Sequence, residues 1–112
     1  MIAFNAATAS EPYRGWFVGG FMPDGDPRNT SAVEIKYGRH KKGEARKEWT
    51  LHRRHALSIL VSGKFAARVL DKENSATTER ILEREGDCAL WLPGEYHTWE
   101  ALEDTLIISI LW

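Results

Sequence analysis

The sequence predicts an all-β fold, a sandwich or barrel of short strands, and three observations support this prediction. Short alternating or apolar segments follow one another at intervals of roughly eight to twelve residues. Glycine or strongly polar turns separate these segments. No segment of ordinary helix length shows the 3.6-residue period of an amphipathic helix.

The size and composition of the chain indicate one soluble globular domain. Its 112 residues can form a single core, and 43% apolar with 28% charged residues is an ordinary globular balance. We expect a single domain over residues 1–112, with 1–12 as a loosely held N-terminal arm and 13–112 as the barrel. No apolar run is long enough for a membrane span, and the N-terminus lacks a basic start and an apolar block. We therefore expect a cytoplasmic protein with no membrane partner.

The first third of the chain predicts two strands and a loop. Trp16–Phe21 is aromatic and β-branched, which favours a strand, although its glycines weaken it. Pro23–Ser31 is rich in turn-forming residues and predicts a loop. The next segment alternates, with Val33, Ile35 and Tyr37 on one face and Glu34 and Lys36 on the other. This pattern predicts a half-buried strand with its apolar face toward the core.

The middle of the chain predicts four further strands. Glu48–His52 alternates and would direct Glu48, Thr50 and His52 to one side. Leu57–Val61 is a short apolar run closed by Ser62 and Gly63, typical of a buried strand and its turn. Lys64–Leu70 and Thr77–Leu82 flank a polar segment, which predicts a hairpin.

The last third contains the segment with the most functional information, Gly86–His97. A glycine enters a short apolar strand, a Pro-Gly turn follows, and His97 comes just after the turn. Thr98–Leu102 predicts another strand, and Leu106–Trp112 predicts a final strand that is apolar on both faces. Such a strand must be covered on both sides, by the arm or by a second copy of the chain. We favour a homodimer.

Charge and cysteine content exclude some classes of function. Cys88 is the single cysteine, so the chain has no internal disulfide and no thiolate zinc cluster. A net charge of −1 argues against nucleic-acid binding. The charge is nevertheless uneven, because the segment 39–55 holds seven Lys or Arg residues and only two Glu.

These features resemble the cupin superfamily of small jelly-roll barrels, also described as double-stranded β-helices. The glycine, strand, turn and histidine of the second cupin motif correspond to Gly86, Pro93, Gly94 and His97. The first motif of the family supplies two histidines and a glutamate before a strand closed by glycine. Here Gly63 closes that strand and His52 takes one histidine position. The other two ligand positions fall on Thr50 and Ala56.

The resemblance implies a site inside the barrel that involves His52 and His97. In cupins this site holds iron, manganese, nickel or zinc, with positions left open for substrate or oxygen. Two histidines alone hold a metal poorly, so a third ligand is needed. Glu48 is a candidate by strand parity, His55 through a bulge, and His40 from a neighbouring strand. A metal-free pocket is the alternative.

Other residues indicate what such a pocket would bind. Trp99 shares parity with His97, and we expect Thr50, Trp99 and Arg54 to line a ligand pocket. An arginine that leans inward would favour an anionic small molecule. The other tryptophans, Trp16, Trp91 and Trp112, are assigned to the core and the dimer contact. Two functions remain open, a metal-dependent oxygenase, isomerase or decarboxylase, and a ligand-binding or sensor protein without catalysis.

Overall fold

The structure, a computed structural model, describes all 112 residues. In chain order its elements are α1 (Ala6–Ser10), a 3₁₀ turn (Glu11–Tyr13), β1 (Trp16–Val18), β2 (Glu34–His40), β3 (Thr50–Leu51), β4 (Ala56–Ser62), β5 (Phe65–Leu70), β6 (Thr77–Leu82), β7 (Cys88–Trp91), β8 (Tyr96–Ala101) and β9 (Thr105–Leu111). The strands form two antiparallel sheets, with orders β1-β2-β9-β4-β7 and β3-β8-β5-β6. This architecture confirms the predicted all-β jelly-roll fold. No helix is long and apolar enough to cross a membrane.

The N-terminal segment that was expected to be an arm contains α1. The Asn5 side chain caps this helix by accepting a hydrogen bond from the Thr8 amide at 3.1 Å. Ser10, the last helical residue, is buried, and its carbonyl accepts a hydrogen bond from the Gly15 amide at 2.9 Å. The helix lies beside β1 and β2.

The core lies between the two sheets. Leu60 on β4 and Ile107 on β9 are its most completely buried large side chains. The rest of the cluster comes from both sheets and comprises Ala56, Phe65, Ala67, Leu82, Trp91 and Leu111. Because β4 and β9 are neighbours at the centre of the five-stranded sheet, their inward residues meet the four-stranded sheet across the barrel.

The orientation of β2 differs from the prediction. Lys36 pairs with Ser109 of β9, and both side chains line the interior of the barrel. Alternation therefore directs Ile35 and Tyr37 to the outer face, so the prediction that this strand turns its apolar face to the core was wrong. The outer face of this sheet is itself apolar, so Ile35 and Tyr37 join apolar neighbours there. The polar Lys36 faces the interior instead.

That outer face carries two apolar rows that run across the sheet. Register places Ile35, Ile110, Leu57 and Leu90 in one row, and Tyr37, Ile108, Ile59 and Cys88 in the next. Leu90 is 49% exposed. The final strand is thus apolar on both faces, as its sequence predicted.

The segment 48–52 is a strand only at Thr50–Leu51. Ala45 forms an isolated bridge with Glu100, and Thr50 pairs with His97. Between these two pairs the first segment has two residues more than β8, so it bulges away from the sheet. Glu48 lies in this bulge and is exposed. The parity that placed Glu48 beside Thr50 and His52 therefore does not hold.

Candidate functional site

The candidate site is a cavity of about 110 Å³ between the two sheets. Its polar lining is cationic or neutral and consists of Lys36, His40, Arg46, His52, Ser58, His97 and Ser109. Its aromatic lining consists of Trp16, Phe65, Trp91 and Trp99. No Asp or Glu lines it.

The turn between β7 and β8 delivers His97 to this cavity. Gly94 has a φ of +90°, a conformation that favours glycine. Its amide donates a hydrogen bond of 2.9 Å to the carbonyl of His52, so the turn also holds the chain just after β3. His97 follows on β8, is only 3% exposed, and packs against Trp91 with ring centroids 4.8 Å apart.

His97 and His52 form a pair of neutral imidazoles. Their ring centroids are 4.7 Å apart and their planes differ by 23°. Burial, the adjacent His52 and Arg46 lower the pKa of His97 to about 4. Burial, followed by Arg46 and Arg54, also lowers the pKa of His52. The Nδ1 atom of His97 is buried and has no hydrogen-bond partner within ordinary hydrogen-bond geometry.

The opposite wall presents Lys36. This residue pairs with Trp16 on one side and Ser109 on the other, and its Nζ lies 5.6 Å from the centroid of the Trp16 ring. Burial, assisted by the charge of Arg46, lowers the pKa of Lys36. The Ser109 hydroxyl is 3.4 Å from that of Ser58, which extends the polar row across the sheet.

Arg46 is the second cation of the cavity. It lies at the start of the bulge, where its amide donates a hydrogen bond of 3.0 Å to the carbonyl of Trp99. Neither Arg46 nor Lys36 belongs to any of the ion pairs of the protein. The cavity thus holds two cationic side chains and no carboxylate to neutralise them.

The structure brings together four of the residues expected from sequence. His52, His97 and Trp99 all line the cavity. Thr50 lies directly across from His97 on the adjacent strand and therefore on the same face, but it is not part of the cavity wall. His40 does reach the cavity, where it packs on Trp99 with centroids 4.5 Å apart. Its Nδ1 is 3.1 Å from a carboxylate oxygen of Glu44.

The structure places the other expected residues elsewhere. The exposed Glu48 does not reach the cavity. His55 stacks on Trp112, with centroids 5.2 Å apart and planes 9° apart. Arg54 forms an ion pair of 3.0 Å with Glu34. None of these three residues lines the cavity.

Sequence reasoning missed several residues of this site. Trp16 and Trp91 were assigned to the core and the dimer contact; Trp91 does belong to the core and Trp16 packs against it, and both also line the cavity. Ser58 and Ser109 carried a signal, because each is a polar residue within an otherwise apolar strand. Arg46 belongs to the basic segment, but its inward position depends on the bulge. Lys36 was missed because the prediction directed the opposite face of its strand to the core.

The residues of this cavity do not fit the metal that the cupin resemblance implies. No group of three or more His, Cys, Asp or Glu side chains is placed to hold a metal ion. His52 and His97, with ring centroids 4.7 Å apart, supply at most two nitrogen ligands, fewer than the three or four that a protein metal site uses. Lys36 and Arg46 would also repel a divalent cation.

Comparison with known proteins found similarity in structure but not in sequence. No protein-family model matches the chain, and no curated protein matches its sequence. Among solved structures it is similar to oxalate decarboxylase of Bacillus subtilis, a protein with Mn(II) centres, at a TM-score of 0.60 and 20% identity, over 70% of this chain and 20% of that one. It is also similar to the capsular polysaccharide assembling protein CapF of Staphylococcus aureus, at a TM-score of 0.56 and 22% identity, over 71% of this chain and 22% of that one.

The chain therefore spans about a fifth of the length of these two proteins. Both are cupin-fold proteins, and the chain has the cupin fold. At identities near 20% the likeness concerns the fold alone.

Proposed function

We propose that this cupin-fold chain binds a small anionic molecule, a carboxylate or phosphate, in the barrel cavity without a metal ion. The observation that supports this proposal is the pair of cations, Lys36 and Arg46, that line the cavity and have no ion-pair partner in the protein. Both side chains are partly buried, and a partly desolvated cation is stabilised by an opposite charge or by hydrogen bonds. A bound anion would compensate both.

The two cations suit different parts of an anion. An arginine presents a planar fork of N–H donors that matches a carboxylate or phosphate in two-point fashion. A lysine contributes a compact charge with three donors. Because they come from the bulge before β3 and from β2, the cations would hold the anion between the two sheets.

The remaining walls favour a ligand with a small apolar or planar body. Trp16, Trp91 and Trp99 present aromatic surface to the cavity. A cavity of about 110 Å³ is small beside the roughly 300–1,000 Å³ of pockets for drug-sized ligands. The neutral imidazole of His97 adds a polar group to this lining.

Isothermal titration calorimetry with a carboxylate and its neutral analogue tests this proposal. Propionate and inorganic phosphate serve as anions, and propionamide serves as the neutral analogue of propionate. We expect an anion to bind and the amide to bind at least tenfold more weakly. Lys36→Met and Arg46→Met should each weaken binding by about 10- to 100-fold, the effect of losing a charged hydrogen bond. Arg54→Met is the matched control, because Arg54 pairs with Glu34 outside the cavity.

Calorimetry in the presence of a chelator distinguishes this proposal from a metal-dependent site. We expect unchanged affinity in EDTA and no gain on addition of Mn²⁺ or Zn²⁺. Equal binding of the amide, or wild-type affinity in both cavity variants, would contradict the proposal. Binding that disappears in EDTA and returns with a metal would replace it with the metal-dependent alternative.

We also propose that the chain forms a homodimer through the outer face of the five-stranded sheet. The support is the pair of apolar rows on this face, centred on Ile108 and Ile110 of β9. A two-fold axis brings the same patch of both copies together, and apolar sheet faces pack well on each other. Sedimentation velocity should detect a dimer that Ile108→Lys converts to monomer, whereas Ile81→Lys on exposed β6 should not. A monomeric wild type at high micromolar concentration would contradict this proposal.

A further inference from the structure

Lys36 differs from every other lysine of the chain in its surroundings. It is the one lysine that lines the barrel cavity. Its side chain passes close to Gly15, where an added Cβ would lie 3.0 Å from Cε of Lys36 and 3.2 Å from Cγ. Gly15 therefore leaves room for the lysine stem, whose tip lies over the Trp16 ring. The lysine at position 41, by contrast, has a side chain that is 84% exposed.

The surroundings of Lys36 favour an amine that can lose its proton. The charged or titratable groups that share its cavity are Arg46 and the three imidazoles of His40, His52 and His97. None of them is acidic. Lys36 also borders an outer cleft that contains Glu11 and Glu44, and it forms an ion pair with neither. Burial and the charge of Arg46 both lower the pKa of Lys36, which increases the fraction of neutral amine. Desolvation beside another cation is a known way to activate a lysine nucleophile.

The same cavity holds groups suited to a carbonyl compound. Ser109 lies directly across from Lys36, and its hydroxyl is 3.4 Å from that of Ser58. These hydroxyl groups can donate hydrogen bonds to the carbonyl oxygen of a ligand as that oxygen gains negative charge. His97 lines the same cavity and is neutral at pH 7, so its imidazole is in the form that can accept a proton. Arg46 remains available for a carboxylate.

We propose that the Lys36 amine forms an imine with the carbonyl group of a small oxo acid whose carboxylate is held by Arg46. This proposal rests on the anion site proposed above and identifies its ligand class. The Nζ lone pair attacks the carbonyl carbon, a C–N bond forms, and the C=O π pair moves to oxygen. The nitrogen loses a proton and the oxygen gains one, which gives a carbinolamine. Its hydroxyl then leaves as water with one further proton, and a C=N bond remains. No oxidant or reductant takes part.

Reductive trapping with pyruvate tests the proposal. The protein is incubated at pH 7 with pyruvate and sodium cyanoborohydride, which reduces an imine to a stable secondary amine, and peptide mass spectrometry then locates the adduct. We expect Lys36 to carry at least tenfold more adduct than any other lysine. Propionate, which has the carboxylate but lacks the ketone, should protect Lys36. An adduct spread over the lysines according to their exposure would overturn the proposal.

Two matched variants separate the imine from the anion site. Lys36→Arg removes the primary amine, so it should form no adduct at position 36, and calorimetry of the same variant with propionate reports separately whether the anion site remains. Lys41→Arg should leave the Lys36 adduct unchanged. Pyruvate that binds in calorimetry but leaves Lys36 unmodified in wild-type protein would refute the imine and leave anion binding intact. If neither propionate nor pyruvate binds, both proposals fail together.

Discussion

His52 and His97, which correspond to the first and the second cupin motif, lie with their rings nearly parallel and their centroids 4.7 Å apart. One hydrogen bond supports this pairing, from the Gly94 amide to the His52 carbonyl at 2.9 Å. Two imidazoles at this distance cannot both be protonated without repulsion. The pair is therefore a neutral polar surface at pH 7, and acid should destabilise it.

The first prediction concerns the pH dependence of stability. His97 has a pKa of about 4 in the fold and an ordinary value of 6.5. As pH falls from about 6.5 to 4, the unfolded chain binds a proton at this position that the folded protein does not, so stability decreases with decreasing pH. Between pH 7.5 and 4.5 we expect this group to remove about 2 to 3 kcal/mol from the free energy of unfolding. Urea denaturation at the two pH values measures the difference.

Two variants test whether His97 causes this loss. His97→Leu should reduce the difference between pH 7.5 and 4.5, whatever its effect on stability at pH 7.5. His55→Gln changes a histidine outside the cavity and should keep the wild-type difference. An unchanged difference in His97→Leu would show that other groups cause the acid sensitivity.

The second prediction concerns Gly63, which closes the turn between β4 and β5. Its φ is +93°, and an added Cβ would lie 2.6 Å from Oγ1 and 2.7 Å from Cα of Thr105. Gly63→Ala should therefore cost about 3 kcal/mol or more, through backbone strain together with a clash against the main chain. Gly43→Ala is a matched control, because Gly43 has a φ of +88° and an added Cβ would meet nothing within 4 Å. Equal destabilisation of the two variants in urea would contradict the packing argument.

A third prediction concerns the buried hydroxyl of Thr105. It accepts a hydrogen bond from the Lys64 amide at 3.2 Å and lies 2.8 Å from the carbonyl oxygen of Glu103, to which it donates. Thr105→Val preserves the shape but leaves the Lys64 amide without this partner, which should cost about 1 to 3 kcal/mol. Thr77→Val on the exposed strand β6 should change stability by less than about 0.5 kcal/mol. Thermal unfolding of the two variants provides the comparison, and near-equal melting temperatures would refute the prediction.

The fourth prediction concerns the contribution of the core residue Ile107 to stability. Ile107 is 2% exposed at the centre of the hydrophobic cluster, and Ile107→Ala should destabilise the fold by about 3 to 4 kcal/mol. Ile81 is 37% exposed on β6, so Ile81→Ala should cost under about 1 kcal/mol. Similar losses in urea would mean that the core does not centre on Ile107.

Local patterns were sufficient to predict most strands. Thr77–Leu82 was predicted with the bounds that the structure has, and the short apolar run near Leu57–Val61 is the centre of β4. These predictions succeed because alternation and turn residues act over a few neighbouring positions. The segment 48–52 is the exception, since its interruption depends on how it pairs with β8, and no local pattern reports that pairing.

The candidate site likewise contains residues that the sequence predicted and residues that it did not. His52, His97 and Trp99 were expected in the pocket and line the cavity. Lys36 and Arg46, which carry the proposed function, were missed because their directions depend on sheet orientation and on a bulge. Glu48 was expected nearby by strand parity, His55 through a bulge and Arg54 as an inward-leaning arginine, and the structure turns each toward other partners or solvent.

By itself, the residue pattern determined that this chain is a sandwich or barrel of short strands with His97 just after a Pro-Gly turn, and the resemblance to cupins implied the jelly-roll and a position for His97 inside it. Glycine positions, turn residues and alternation are properties of neighbouring residues, so a linear pattern is enough to read them. Only the tertiary structure decided that the cavity is cationic. Strand pairing joins Lys36 to Ser109, far apart in the sequence, and an apolar outer face reverses which side of β2 is buried. That reversal adds a cation to a site for which the sequence had left a metal-bound and a metal-free form open.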